Sequence, residues 1–143
     1  MTPDDFRKRT KAFALRIIRL TEALPKSGAA AVIRGQLVRC GTSVGANYRA
    51  ACRARSRRDF VAKMGVIEEE CDESLYWMEL LIDSGQVTAG KMKNLMAEAE
   101  EILSMVVASI RTCRSGTAQA TRRRQSTIRN PQSAIRNPQL EGA

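Results

Sequence analysis

Phe60, Met64, Ile67, Cys71, Ser74, Met78 and Leu81 recur at alternating intervals of four and three residues. An α-helix turns every 3.6 residues, so such a row lies along one face of a helix and has to be covered. The same rhythm occurs in three other stretches. Phe6, Thr10, Phe13, Ile17, Leu20 and Leu24 carry it first; Ile33, Leu37, Cys40, Val44, Tyr48 and Ala51 come next; Met92, Leu95, Ala99, Ile102, Val106 and Ile110 follow. Four amphipathic helices are therefore expected.

Local signals bound them. Thr2 suits an N-cap, Pro3 the first helical position, and Asp4 and Asp5 the positive end of the helix dipole. Leu24-Pro25 stops that helix. The second helix is expected from Ser27 to about Ala54 and the third from Ser56 to Gly85. The fourth should run from Thr88 to about Cys113, with Gly116 beyond its end. Ser56-Arg57-Arg58-Asp59 has the form of a capping box, and Gly85 that of a C-terminal cap. Gly35, Gly41 and Gly45 interrupt the second helix, each weakening it by about 1 kcal/mol relative to Ala. Close approach of a neighbouring helix is the physical reason to keep them. Leu75 and Ile82 widen the third seam on one side, and Trp77 and Leu80 form a row on the other. The connections are short, which forces antiparallel neighbours. The expected fold is all-α: an antiparallel up-down-up-down four-helix bundle over residues 1–114 with a disordered C-terminal tail over 115–143. That tail holds Arg122-Arg123-Arg124 and a repeated IRNPQ.

Several function classes fall away. The chain has no histidine, which removes Ser-His-Asp triads and Glu-x-x-His di-iron sites. Cys40, Cys52, Cys71 and Cys113 include no C-x-x-C pair, so buried thiols in a reducing cytosol are expected rather than a zinc site. No run of apolar residues is long enough to span a membrane, and the charges scattered through the N-terminus argue against a signal peptide. No catalytic residue, metal, cofactor or small-molecule substrate is expected, and the expected location is cytoplasmic.

Charge is unevenly placed. Residues 1–67 hold 15 Lys/Arg against 4 Asp/Glu, residues 68–101 hold 2 against 10, and residues 102–143 hold 7 against 1. Such an arrangement suggests pairing between helices, within or between subunits. Arg49, Arg53, Arg55, Arg57, Arg58 and Lys63 gather at the second turn of the chain. They are the candidate phosphate-binding patch, for RNA or a ribonucleoprotein. The alternative is that they pair with carboxylates of another subunit. The acidic run Glu68, Glu69, Glu70, Asp72 and Glu73 falls between seam positions and reads as a solvated or interface face rather than a metal site. Tyr76, Trp77 and Leu80 lie off the seam and are the candidate oligomer interface.

Residues 37–81, LVRCGTSVGANYRAACRARSRRDFVAKMGVIEEECDESLYWMELL, resemble the four-helix-bundle family first noticed as proteins encoded in 23S ribosomal-RNA intervening sequences. Arg39, Ser43, Val44 and Asn47 match its first segment. Arg55, Ser56, Asp59 and Phe60 match its second, and Glu73, Ser74, Tyr76, Trp77, Met78, Glu79, Leu80 and Leu81 its third. The resemblance covers residues 6–110. It implies a ring-like homopentamer without established enzyme activity. It also implies a fold similar to basic accessory proteins of retroelement reverse transcriptases, which bind nucleic acid. The motif residues are expected to be structural, with Asn47 capping or bridging helices. Two readings follow: a self-assembling bundle that binds RNA through a basic surface, or an oligomeric scaffold or accessory subunit with no direct nucleic-acid role.

Overall fold

The computed structural model describes residues 1–128, all of whose regular structure is helical: α1 (Pro3–Glu22), α2 (Gly28–Ala51), α3 (Arg57–Asp83) and α4 (Ala89–Ile128). Each helix starts or stops for a local reason. Thr2 and Asp5 form a reciprocal capping box at α1, with bonds of 3.0 and 3.1 Å. Ser27 takes the N-cap position of α2, but its hydroxyl makes no capping bond. At α3 the Ser56 hydroxyl accepts from Asp59 N, while the Asp59 carboxylate accepts from Arg55 N rather than from Ser56. Gly85 has φ 76°, the left-handed conformation that ends α3. Its N–H donates to Ile82 O and that of Gln86 to Leu81 O, so two orphan carbonyls are satisfied.

The bundle occupies residues 1–110. α1 and α2 run antiparallel: Phe6 meets Tyr48 edge-on at 4.5 Å, Thr10 faces Gly45, and Ile17 faces Gly41. α2 meets α3 through Cys40 and Ser74, α3 meets α4 through Cys71 and Ala99, and α4 returns to α1 through Glu98 and Arg9. The expected seams form the core, with Phe13, Ile17, Leu37, Met64, Ile67, Met78, Met92 and Ile102 almost wholly buried. Two seam positions differ. Leu20 is half-buried and its neighbour Thr21 takes the inward place, as a 3.6-residue turn drifts against a strict heptad. Phe60 is half-buried because it sits in the first turn of α3, at the end of the bundle.

The glycines of α2 divide by environment. A Cβ at Gly41 would overlap Ile17 Cδ1, and one at Gly45 would stand 3.3 Å from Thr10 Oγ1. These two permit the approach of α1. Gly35 has open space around it. The helix stays continuous through all three because its apolar face is held on both sides.

α4 departs from expectation. Gly116 does not end it; the helix continues to Ile128. A single glycine costs about 1 kcal/mol without forbidding helix. Ala120, Gln119 and Arg122–Arg124 are good helix formers, and no proline falls between Pro25 and Pro131. Part of the expected tail is thus helical. Residues 111 onward form a unit of their own, and the repeat's Pro131 and Pro138 lie outside the described residues.

Candidate nucleic-acid interface

The last turn of α2, the short connection after it and the first turn of α3 bring the expected basic residues to one end of the bundle. Arg49 lies in the last turn of α2, Arg53 and Arg55 lie in the connection, and Arg57 and Arg58 open α3. All five are exposed, and their guanidinium groups enter no ion pair among the described residues. Lys63 is different: its ammonium lies 2.6 Å from Asp59, and that contact holds the Asp59 carboxyl below the usual range. Lys63 therefore adds less to the patch than its sequence position suggests. Tyr48 and Phe60 turn toward the core, so no aromatic ring stands among the arginines to stack a base. The arrangement offers guanidinium donors to phosphates and no aromatic platform for stacking.

Two other bundle arginines reach across helix boundaries to carboxylates. Arg9 on α1 reaches α4, where its Nε donates to Glu98 at 2.6 Å and its second nitrogen to both Glu98 and Glu101. Arg39 on α2 spans Glu70, at 3.2 Å, and Glu73 on α3. These contacts hold the Glu73 and Glu98 carboxyls below the usual range, by Arg39 and Arg9 respectively. The acidic run is thus split. Glu69 and Asp72 face water, while Glu70 and Glu73 turn to Arg39.

Cys40 Sγ, Glu70 and Glu73 offer donor atoms within 4.8 Å of one another. Arg39 already occupies both carboxylates. The Cys40 thiol is buried beside the Ser74 hydroxyl, and burial pushes its pKa up, which keeps its proton on. Burial likewise pushes the Cys71 thiol up to about 12. Cys52 is exposed near the arginines, against the expectation of burial.

Three of the motif residues, Ser43, Asn47 and Ser74, bond within their own helices. Ser43 donates to Arg39 O at 2.6 Å and Asn47 to Ser43 O at 2.9 Å, both along α2 itself. Asn47 therefore neither caps a helix nor bridges two through a resolved bond. Ser74 donates to Glu70 O at 2.8 Å, which settles a fully buried hydroxyl. Trp77 and Leu80 are half-buried against the core, whereas Tyr76 is 53% exposed and packs on Trp77 at 5.1 Å. The indole N–H donates to Glu73 at 3.2 Å, tying this aromatic edge to the Arg39 pair. Sequence reasoning missed the roles of Arg9 and Glu98, whose pairing across 89 residues leaves no local signal.

Fold and site define a helical bundle with a basic end. The family model described as 23S rRNA-intervening sequence protein matches residues 5–108, and the chain belongs to that family. A solved structure from Bacteroides thetaiotaomicron, described as a protein with unknown function from the S23 ribosomal protein family, is 31% identical. It aligns over 78% of this chain and 99% of its own, with a TM-score of 0.70. Neither description names a reaction. No curated protein matches the chain. Among the described residues, no helix is long and apolar enough to cross a membrane.

Proposed function

We propose that the protein is a non-catalytic, self-assembling bundle of the cytoplasm that binds structured RNA or a ribonucleoprotein through Arg49, Arg53, Arg55, Arg57 and Arg58. One observation carries the reading. These five guanidinium groups stand exposed at one end of the fold and form no ion pair among the described residues, while Arg9 and Arg39 each hold two carboxylates. Unpaired arginines attract polyanions by releasing counterions, so affinity should fall steeply with salt. The test is RNA binding at several salt concentrations for the wild type and for a variant with the five arginines replaced by Ser. Equal, salt-insensitive binding by the two would remove the proposal.

A second reading, the pure scaffold, is favoured by a different observation: Tyr76 is exposed on α3, packed on half-buried Trp77 and a turn from half-buried Leu80. A ring-like homopentamer, as the resemblance implies, would cover such a face. Under this reading the arginine variant changes the mass measured by light scattering and leaves RNA affinity alone.

A further inference from the structure

The family match ends at residue 108, and Ile110 is the last buried apolar residue of the α4 seam, yet α4 goes on to Ile128. The continuation has the composition of neither a core helix nor a membrane helix. Over residues 111–128 it holds five arginines, Arg111, Arg114, Arg122, Arg123 and Arg124, and no Asp or Glu. All five arginine side chains are exposed. Leu, Val, Met and aromatic residues are absent from it.

We infer that this part of α4 is a second polyanion-binding element, an arginine helix that grips the phosphates of a folded RNA without reading its bases. Three features lead there. At 100° per residue Arg111, Arg114 and Arg122 fall on one side of the helix, while Arg123 and Arg124 fall on its other half, so guanidinium groups are presented around it. From Arg111 to Arg124 the helix rises about 20 Å, enough to meet several phosphates. A helical stretch rich in Thr and Ser and without an apolar face also has little packing to stabilise it. Bound phosphates supply negative charge that residues 111–128 lack. A lipid surface fits worse, because a helix lying on a membrane buries Trp, Phe or Leu on its other face and this one has none.

The inference shares with the proposed function only the class of partner; the residues are different, so the two can fail separately. The probe is a labelled stem-loop RNA with a bulge, titrated with the full chain over a range of salt, alongside an unstructured poly(U) of equal length. Arg122→Gln, Arg123→Gln and Arg124→Gln together keep good helix formers in place. They should weaken binding about tenfold at low salt and lower the slope of log affinity against log salt by about 2 to 3, equally for stem-loops of different sequence. The matched triple Arg→Lys variant should restore the slope. Unchanged affinity and slope in the Gln variant would overturn the inference, whatever the variant at the bundle's basic end does. So would a Gln variant that binds RNA normally but releases phosphatidylserine vesicles the wild type retains. If the Gln variant loses affinity and the variant at the basic end does not, the inference stands and the proposed function falls.

Discussion

Arg9 and Arg39 differ from the arginines at the α2–α3 turn in one respect, their neighbours. Each of the first two reaches across a helix boundary into a pair of glutamates. Arg49, Arg53, Arg55, Arg57 and Arg58 are exposed and form no ion pair among the described residues. The basic first half and acidic second half of the chain are therefore partly neutralised inside one bundle. Two arginines consume four of the carboxylates, and what remains at the turn has no partner within the described residues. A charge imbalance in sequence thus becomes two things in space: clamps where helices lie side by side, and an unsatisfied surface where they end.

The largest expected effect breaks the comparison from the outside. Replacing all five turn arginines by Ser should reduce RNA affinity more than about a hundredfold at low salt while the melting temperature barely moves. A large drop in melting temperature would mean that these arginines are structural after all. Next, Arg9→Ala should cost about 1–2 kcal/mol in denaturant unfolding, because it leaves the part-buried Glu98 without its donor. Arg39→Ala should cost less, since that side chain is more exposed.

Two glycine substitutions of opposite sign sharpen the packing side. Gly41→Ala should destabilise by about 1 kcal/mol net, because Ile17 is fully buried and must shift. Gly35→Ala should stabilise by about 0.5–1 kcal/mol, since its surroundings are open. If both stabilise, α1 does not lie as close to α2 as described.

The smallest effect is in acid. Glu73 and Glu98 have depressed pKa values in the folded state, so the unfolded chain takes up protons first as pH falls. Their contribution is present above the ordinary glutamate range and is lost as pH drops through the depressed values. The melting temperature of the wild type should fall there, and that of Arg9→Ala should fall less. Equal acid sensitivity of the two would argue that Glu98 draws no stability from Arg9.

Most of the seam was legible because core positions of a helix repeat with its turn. Met64, Ile67, Met78 and Val106 could be placed inside by counting alone. Caps were legible for a similar reason, since Thr2 and Ser56 act on groups three residues away. Ser27 shows the limit, a correct residue in the correct position that makes no bond. The end of α4 was misjudged because a glycine is a cost and not a wall. The five candidate arginines were named from clustering, but their lack of partners was not visible, nor was the capture of Lys63 by Asp59 at 2.6 Å distinguishable from solvation.

The order of apolar residues alone determined that the chain makes four helices, which edge of each turns inward, and that short links set neighbours antiparallel. These follow from steric and hydrogen-bond rules that act over a few residues. Tertiary structure decided which glutamates meet Arg9 and Arg39, which glycines of α2 are needed, and which arginines stay unpaired. Those outcomes depend on distances between residues far apart in the chain, and only packing sets such distances.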